Sequence, residues 1–371
     1  MTEHQSEMEL TLNEKLIKDR DLFKDRLMRS ALGVFDWFAI YLGDKLGLYD
    51  ALVANGSMTA LELSLATKTH SRYIQEWLEQ QAVSGILNVE DDSLSASSLK
   101  FFVPIAHREI LTERDSPNYL APMGRLLAGV VKPLPQILDA YRSGCGIPFV
   151  DYGEDLCNGL ADTNRAMFLS GMGLWLGSIL ELDKRLNNSN CFVADIGCGA
   201  GWSSIAIATH YPKVKVHGFD IDESSVKMAK SNATVFDIAE RVDFFIKDIE
   251  TTMPNRSYDL IIAFESIHDM PNPLAALQNM RKMAGEDGIV IVVDANVGQH
   301  FSSEGFGVEW MMYGWSIFHC LPVSMCQHPS AAIGAVIRPQ TIKTYSLNAG
   351  FSDVRILPIA NPMFNFYHLV L

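Results

Sequence analysis

Apolar and polar positions divide the chain into two halves with different periodicities. From residue 10 to about residue 54, apolar residues recur at helical spacing with charged residues between them, which predicts one or two amphipathic helices with a break near Gly33. From Cys191 onwards, short apolar runs alternate with helical segments, and the chain closes with SDVRILPI and FNFYHLVL. Such alternation is typical of a mostly parallel sheet covered by helices, so the expected fold class is α/β.

The segment that follows the N-terminal helices is predicted to form a small helical module. Its pattern indicates a capped helix at 59–66, a turn, a second helix at 71–84 and a hairpin after Gly85. This order is winged-helix-like and is common in DNA-binding proteins. Between Gly43 and Lys100, however, four basic residues stand against eight acidic ones, a charge poorly suited to phosphates. We therefore expect the module to serve packing or dimerisation.

Net charge and cysteine content disfavour several classes of function for this protein. A formal net charge of -14 argues against nonspecific binding to nucleic acid or anionic membranes, because both need a cationic protein surface. The first 13 residues are polar and acidic, unlike a signal peptide, and six cysteines are too few for a secreted disulfide scaffold. The uncharged stretch 310–337 contains prolines and histidines, which favour buried protein over a membrane span. We expect a cytoplasmic protein.

The length of 371 residues predicts more than one domain. Residues 1–103 are expected to form a helical and winged-helix-like dimerisation domain. The stretch 104–180 is rich in Pro and Gly and is expected to form a helical connector and possible pocket wall, with a helix from about 163 to 182. Residues 181–371 are expected to form the α/β domain, with a long insert at about 295–338.

The stretch FVADIGCGAGWSS places Gly197, Gly199 and Gly201 at every second position, directly after a strand-like run. Glycines at a strand-to-helix turn allow a ligand to approach the backbone closely. Asp220 ends the next apolar run, 23 residues after Gly197, where an acidic side chain commonly accepts hydrogen bonds from ribose hydroxyls. This arrangement fits an adenosine cofactor, either a nicotinamide dinucleotide or S-adenosylmethionine.

The spacing of the glycines discriminates between these two cofactors. A dinucleotide loop usually has the pattern G-x-G-x-x-G, which seats a pyrophosphate on a helix N-terminus. Here the pattern is G-x-G-x-G, with Asp195 before it and bulky Trp202 after it. Because an aspartate repels phosphates but attracts an ammonium or sulfonium group, the loop favours S-adenosylmethionine.

These motifs resemble those of the Rossmann-like (class I) S-adenosylmethionine-dependent methyltransferases. DIGCGAG matches the first motif of that family, GFDID the acidic second and IKDIETTMP the third, and the resemblance runs from about residue 191 to 371. It implies a seven-stranded sheet with an antiparallel last strand. The cofactor-binding residues that it implies are Asp195, Gly197, Gly199, Gly201, Asp220, Ile221, Asp248, Ile249, Phe264 and Glu265.

The resemblance also implies what several of these residues do. The glycines would line the methionine part of the cofactor, Asp220 the ribose, Ile221 the adenine face and Asp248 the adenine amine, while Phe264 and Glu265 would lie near the sulfonium. In TALELSLATKTHSRYIQEWLEQQAVSGIL the N-terminal half resembles the dimerisation domain of small-molecule O-methyltransferases. That similarity implies a homodimer whose N-terminal domain helps to wall the acceptor pocket.

His268 is the candidate catalytic base. Methyl transfer to a hydroxyl requires removal of its proton, and imidazole, with a pKa near ~6.5, is suited to that step at neutral pH. The segment AFESIHDMPNP resembles the HD pair of plant-type O-methyltransferases, in which the histidine is the base, although Met270 replaces the usual aromatic residue. Alternatively, His268 caps the turn that follows. Asp269 either orients the ring or caps the helix that begins near Pro271.

A second group of residues with chemical potential lies in HCLPVSMCQH. His319, Cys320, Cys326 and His328 could hold zinc or copper, but their spacing matches no common structural zinc pattern. Cysteine also fills apolar pockets, so the sequence favours an apolar lid and predicts no metal. The candidate substrate-pocket residues are Trp310, Tyr313 and Trp315 in the insert, and Tyr152 and Arg165 in the connector.

The sequence thus favours an S-adenosylmethionine-dependent methyltransferase that acts on a small apolar or aromatic hydroxylated molecule, with no nucleic-acid or membrane partner. An NAD(P)-dependent oxidoreductase is the alternative enzyme, and the glycine spacing disfavours it. A winged-helix regulator that senses an adenosine metabolite without catalysis is the third alternative, which the acidic helices disfavour.

Overall fold

The computed structural model of the chain describes residues 3–188, 190–251, 253 and 256–371, with side chains from residue 12 onwards. The first two residues of the expected N-terminal domain, and Thr252 and Pro254 of the third motif, lie outside the described residues. The chain divides into two compact units, Met1–Glu113 with Leu120–Leu127 and Arg114–Tyr119 with Ala128–Leu371. The boundaries expected from the sequence, near residues 103 and 180, stay predictions.

The first 131 residues are mostly helical. In chain order their elements are α1 (Glu3–Lys45), α2 (Leu48–Asn55), α3 (Ala60–Thr67), α4 (Ser71–Val83), β1 (Asn88–Val89), a 3₁₀ turn (Ala96–Ser98), β2 (Phe101–Phe102), α5 (Ile105–Thr112) and α6 (Pro122–Val131). Strands β1 and β2 pair antiparallel, with Asn88 opposite Phe102. The two helices and the hairpin therefore follow one another in the order that the sequence predicts.

Local hydrogen bonds explain where α3 begins. The Thr59 hydroxyl accepts a hydrogen bond from the Glu62 backbone N–H at 3.3 Å, and the Glu62 carboxylate accepts one from the Thr59 N–H at 2.8 Å. This reciprocal capping box satisfies two amides at the start of the helix. Behind it, Leu63 and Leu78 are buried in the apolar core of the first unit, so the capped helix packs through its apolar face.

The expected break near Gly33 is wrong. Helix α1 runs through Gly33 without interruption and ends at Lys45. A single glycine costs a helix only about 1 kcal/mol relative to alanine, which a helix of 43 residues tolerates. The chain turns instead at Gly47, whose φ of 66° is left-handed and cannot continue a right-handed helix.

The second unit contains a seven-stranded sheet and the helices around it. Its elements are α7 (Leu134–Ser143), a 3₁₀ turn (Phe149–Tyr152), α8 (Gly153–Gly177), α9 (Leu180–Asn188), β3 (Phe192–Ile196), α10 (Trp202–His210), β4 (Lys215–Asp220), α11 (Glu223–Val235), β5 (Val242–Ile246), β6 (Leu260–Phe264), a 3₁₀ turn (Ile267–Asp269), α12 (Pro273–Ala284), β7 (Ile289–Ala295), α13 (Glu309–Trp315), a π-helical turn (Ser316–Cys320), α14 (Leu321–Ser324), α15 (Pro339–Asn348), β8 (Asp353–Ile356) and β9 (Phe364–Val370).

The strand order of the sheet is β5-β4-β3-β6-β7-β9-β8. Strands β3 to β7 are parallel, and β9 runs antiparallel to both β7 and β8. This confirms the α/β class, the seven strands and the antiparallel last strand. The order reverses between β3 and β6, and ligands of open α/β sheets bind beyond the carboxyl ends of strands at such a point.

The helix expected at about 163–182 is wrong in its bounds. Helix α8 begins ten residues earlier, at Gly153, and ends at Gly177, while α9 begins at Leu180. The Ser178 N–H closes α8 by donating to the Leu174 carbonyl at 3.1 Å. Close packing requires Gly171 of α8, since a Cβ there would lie 2.4 Å from the Trp175 ring.

Candidate active site

The glycine loop connects β3 to α10, and a side chain would meet different surroundings at each of its three glycines. All three have left-handed φ angles of 70°, 52° and 80°. A Cβ on Gly197 would lie 2.4 Å from the Ser266 Cβ, and one on Gly201 would lie 2.5 Å from the Phe244 ring. At Gly199 no atom lies within 4 Å of the Cβ position. Packing therefore requires the first and third glycines, while the middle one faces open space.

Asp195 lies beneath this loop, near the end of β3, and is 1% exposed. One of its oxygens, Oδ2, accepts hydrogen bonds from the hydroxyls of Ser203 at 2.5 Å and Ser204 at 2.6 Å. The other oxygen, Oδ1, is buried without a hydrogen-bond partner. Burial raises the pKa of Asp195 to about 6, although the two hydroxyls oppose the rise. The carboxylate thus retains one free acceptor.

Asp220 joins the loop to the end of β4. Its Oδ2 accepts a hydrogen bond from the Gly199 N–H at 2.8 Å, and its Oδ1 accepts one from the Asp222 N–H at 2.9 Å. Burial raises the pKa of Asp220, against the effect of these two backbone donors. The next residue, Ile221, is 67% exposed. The structure therefore brings the first and second motifs together, with an apolar side chain open beside them.

The third motif lies beside the second. The Lys247 N–H donates to the Asp220 carbonyl at 2.8 Å, which places the following residue, Asp248, at the same edge of the sheet. The Asp248 Oδ1 accepts a hydrogen bond from the Glu250 N–H at 2.8 Å, and Ile249 is buried. Asp248 is therefore held by its own turn, next to the strand end that carries Asp220.

Phe264 and Glu265 end β6 in contrasting environments. The Phe264 ring packs edge-on against Phe168 at 4.7 Å and Phe364 at 4.9 Å, so it belongs largely to the apolar core. Glu265 has a left-handed φ of 48° and a buried Oε1 without a hydrogen-bond partner. Burial and Asp294 raise the pKa of Glu265 to about 8, while His268 lowers it. Such a strained backbone with an unsatisfied side chain is a frequent mark of functional sites.

His268 forms a buried pair with Asp294. The imidazole is 3% exposed, and its Nδ1 lies 2.9 Å and 3.0 Å from the two oxygens of Asp294. Its Nε2 lies 3.4 Å from Asp269 Oδ1. Burial lowers the pKa of His268, but the two carboxylates outweigh it and hold the pKa well above its usual value. The ring is therefore fixed by Asp294, with Nε2 on the side of Asp269.

Asp294 is a functional candidate that the sequence did not indicate. It lies near the end of β7 and is fully buried, and its Oδ1 also accepts a hydrogen bond from the Ala295 N–H at 2.9 Å. The signal that could have found it is the single acidic residue at the end of the apolar run IVIVVDA. An isolated buried acid in such a run usually has a partner.

The insert contributes Cys320 and His319 to the same region. Ligand atoms of His268, Asp269 and Cys320 all lie within 4.8 Å of one another. His319 is 8% exposed, and its Nδ1 lies 3.6 Å from the Cys320 Sγ. The ring of Tyr152 meets His319 edge-on at 4.9 Å. A part of the predicted lid therefore packs against the predicted catalytic histidine.

The other residues of HCLPVSMCQH lie elsewhere. Cys326 and His328 are exposed, and the Cys326 thiol donates to the Pro322 carbonyl within its own turn, at 3.8 Å. Within the described part of the chain, His268, Asp269 and Cys320 are the group whose ligand atoms converge, rather than the four residues singled out from the sequence. The π-helical turn that carries His319 and Cys320 is a feature often found at functional sites.

The remaining pocket candidates are spread over the second unit. Trp310 is 89% exposed and Trp315 is half-buried. The Tyr313 hydroxyl accepts a hydrogen bond from Arg338 at 3.1 Å. The guanidinium of Arg165 lies over the Trp202 ring at 5.0 Å and donates to Asp115 at 2.7 Å. Arg165 thus packs beside the helix that follows the glycine loop, and Tyr152 donates its hydroxyl to the Phe318 carbonyl at 2.8 Å.

None of the helices described for this chain combines the length and the apolar character needed to span a bilayer.

Comparison with known proteins identifies the domain that carries this site. A family model described as "Methyltransferase domain" matches residues 187–321. The chain is 40% identical over 79 residues to the 27-O-demethylrifamycin SV methyltransferase of Amycolatopsis mediterranei (strain S699), a match that covers 21% of this chain and 29% of that protein. The matches to the first two curated relatives span 40% and 29% of their lengths, less than half in each case.

The structural matches extend over nearly the whole chain. The mitomycin 7-O-methyltransferase MmcR has a TM-score of 0.72 at 16% identity, with 96% of this chain and 100% of that chain covered. Human N-acetylserotonin methyltransferase, solved in complex with SAM, has a TM-score of 0.68 at 18% identity, with 94% and 97% covered. The chain therefore contains a methyltransferase domain and has, as a whole, the fold of solved O-methyltransferases.

Proposed function

We propose that this protein is an S-adenosylmethionine-dependent methyltransferase that acts on a small, hydroxylated, apolar or aromatic molecule. The observation that carries this proposal is the joined pair of motifs at the ends of β3 and β4. There the Gly199 N–H binds Asp220, the loop is open above Gly199, and an exposed Ile221 follows. An adenosine cofactor suits this combination of a glycine loop with an accessible backbone, an acidic side chain and an exposed apolar side chain.

The residues present fit this cofactor. Asp195 has a free carboxylate oxygen beneath the loop and would hold the ammonium group of the methionine part. Asp220 would accept hydrogen bonds from the ribose, Ile221 would cover one face of the adenine, and Asp248 would accept from the adenine amine. The cofactor, when bound, supplies a methyl group activated by a sulfonium. The human structural relative is solved with SAM, which supports the assignment.

The acid–base chemistry would belong to His268. Asp294 fixes the ring through Nδ1, so that Nε2 is the atom that would take the proton of an acceptor hydroxyl. The carboxylates favour the protonated ring. His268 would act as the base in the molecules in which Nε2 has lost its proton.

The insert would supply an apolar wall for the acceptor. Its aromatic residues and the π-helical turn adjoin His268 through Cys320. One relative is named a mitomycin 7-O-methyltransferase and another a 27-O-demethylrifamycin SV methyltransferase. Both names describe methyl transfer to oxygen on a natural product, which supports a hydroxylated acceptor for this chain.

Calorimetry tests the cofactor assignment directly. We expect micromolar binding of S-adenosylhomocysteine, and we expect Asp220→Ala to weaken it at least about tenfold because two charge-assisted hydrogen bonds are lost. Asp353→Ala is the matched control, since this half-exposed carboxylate lies on the distant strand β8. Tight binding of NADH in place of S-adenosylhomocysteine would overturn the proposal.

Substitution of the histidine tests the base. With an acceptor found by screening metabolite extracts with isotopically labelled S-adenosylmethionine, His268→Ala should lower turnover by about 10²-fold or more and leave S-adenosylhomocysteine binding unchanged. Asp294→Asn should lower turnover in the same direction, because the ring loses its charged partner. An unchanged rate in His268→Ala would assign the residue a structural role.

We also propose a cytoplasmic homodimer. All six cysteines are free thiols, as expected in a reducing compartment. Helix α1 exposes a row of apolar side chains, and a second copy of the chain is the partner that we propose for it. The short hairpin after α4 and the acidic charge of this region support a winged-helix-like module used for dimerisation rather than for DNA.

A further inference from the structure

Three residues from two separate segments place different metal-binding atoms close together. His268 and Asp269 come from the turn after β6, and Cys320 comes from the π-helical turn of the insert. We propose that they form a binding site for a divalent transition metal ion, with zinc as the best match, and that the bound ion inhibits methyl transfer. The inhibition rests on the proposed function, whereas the metal site does not.

The distances suit a small metal ion. His268 Nε2 lies 3.4 Å from Asp269 Oδ1. The ligand atoms of these two residues and of Cys320 all lie within 4.8 Å of one another. Zinc binds nitrogen, oxygen and sulfur at about 2.0–2.3 Å, so tetrahedral ligands are separated by roughly 3.3–3.8 Å. Small side-chain movements therefore complete the site.

Asp294 prepares His268 for this role. Its carboxylate accepts a hydrogen bond from Nδ1–H at 2.9 Å. Once Nε2 has lost its proton, its lone pair is therefore directed away from Asp294. A histidine that ligates a metal commonly donates its other ring N–H to a carboxylate, which orients the ring and raises its basicity. His268 therefore supplies the metal ligand, and Asp294 supplies the hydrogen-bond acceptor that orients it.

The charge of the cluster favours a cation. The carboxyl groups of Asp269, Asp294 and Glu265 surround one imidazole, and Cys320 is 7% exposed. Three buried atoms near this imidazole have no hydrogen-bond partner: Asp269 Oδ1, Glu265 Oε1 and His319 Nε2. Buried carboxylates without donors are costly. A divalent ion would satisfy Asp269 directly and offset the excess of negative charge.

The mixture of ligand atoms selects the metal. Magnesium and calcium prefer oxygen ligands, whereas a thiolate with an imidazole and a carboxylate suits zinc and its spectroscopic substitute cobalt. The Cys320 thiol and the protonated Nε2 of His268 both give their protons to solvent when the metal binds. This set differs from the one considered from the sequence, because only Cys320 of that cluster takes part and two ligands come from a distant segment.

A metal at this place has a predictable effect on the reaction. Nε2 of His268 would hold its lone pair on the metal and could not accept the proton of the acceptor. Zinc is therefore expected to inhibit methyl transfer, and a chelator is expected to restore it. Cys320 takes no part in the proposed transfer of the methyl group or of the proton. Because Cys320→Ser removes one metal ligand, the ratio of turnover with zinc to turnover without zinc should rise to about one in this variant.

Cobalt titration of the purified, chelator-treated protein tests the site without an acceptor. We expect thiolate-to-cobalt charge-transfer absorption that saturates at one equivalent and disappears when zinc is added. Cys320→Ser should abolish this absorption and weaken zinc binding, measured by calorimetry, by more than about 100-fold, because a direct ligand is lost. Cys326→Ser is the matched control, since this exposed thiol lies in the same insert and should change neither readout.

Asp269→Asn provides a second variant, because its side chain is 30% exposed and tolerates replacement more readily than the buried Cys320. It should retain the charge-transfer absorption but weaken zinc binding about tenfold or more. Absence of that absorption in the wild type, or its persistence in Cys320→Ser, would overturn the metal site. Calorimetry with S-adenosylhomocysteine does not depend on the metal. Absence of S-adenosylhomocysteine binding would therefore overturn the proposed function without contradicting the metal site.

Discussion

Asp195 is the residue through which we expect protonation to control cofactor binding. Its Oδ1 is buried without a partner, and burial raises its pKa to about 6. If this oxygen holds the ammonium group of the cofactor, only the ionised carboxylate binds well. Affinity for S-adenosylhomocysteine should therefore rise up to about tenfold per pH unit below about pH 6 and level off above it. Calorimetry between about pH 5 and about pH 7.5 measures this change.

Asp195→Asn is the control for this prediction. The amide oxygen can still accept hydrogen bonds from Ser203 and Ser204, which the carboxylate accepts in the wild type. The variant should bind more weakly above about pH 6 and lose the pH dependence. A pH profile that is the same in both proteins would show that another group controls binding.

At the residue scale, local motifs revealed some of the candidate residues and not others. Gly199 and Asp220 could be predicted because the chemistry of each is encoded within a few positions, and the structure joins them by a hydrogen bond. Asp294 could not, since its partner His268 is 26 positions away. Their pairing depends on β6 and β7 being neighbours in the sheet.

At the element scale, replacing a glycine by alanine should have opposite effects on protein stability at two positions. Gly197→Ala should destabilise the protein by about 2–4 kcal/mol, because φ is 70° and the new Cβ would lie 2.4 Å from the Ser266 Cβ. Gly33→Ala should stabilise it by about 0.5–1 kcal/mol, because Gly33 is inside a helix and no atom lies within 4 Å of the new Cβ. Denaturant unfolding of both variants measures the difference.

The Gly33 result also tests the course of α1. A destabilising Gly33→Ala would restore the break that the sequence suggested, since alanine improves a helix only where the helix is continuous. Periodicity alone could not settle this point. Helix starts were more predictable than breaks, because a capping residue such as Thr59 acts locally, while a glycine stops a helix only if its surroundings demand a left-handed backbone.

At the scale of the whole molecule, the alternation of strands and helices predicted the parallel part of the sheet. The antiparallel direction of the last strand followed from the resemblance. The insertion of β9 between β7 and β8 was not predicted, since periodicity does not indicate strand order. The insert was recognised as apolar but not as a contributor to the histidine site. Its contact with His268 through Cys320 is a tertiary contact that local sequence cannot encode.

The exposed face of α1 gives the last prediction, which concerns assembly. At 100° per residue, one face carries an apolar row in which each side chain is about half exposed: Leu12, Leu16, Phe23, Leu27 and Val34. The helix has 43 residues and is about 65 Å long. The apolar row itself runs from Leu12 to Val34, about 33 Å of this helix. On a protein with a net charge of -14 such a row needs a partner surface, and a second copy offers the same row.

Leu16→Glu combined with Leu27→Glu should therefore convert the proposed dimer into a monomer, because four carboxylates would face one another across a two-fold interface. Sedimentation equilibrium at micromolar concentration measures the mass. Leu65→Glu is the control, since this leucine is 71% exposed on α3, outside the row, and should leave the mass unchanged. A wild type that sediments as a monomer would remove the dimer and leave the apolar row to another partner. A dimer that survives the double substitution would place the interface elsewhere on the chain.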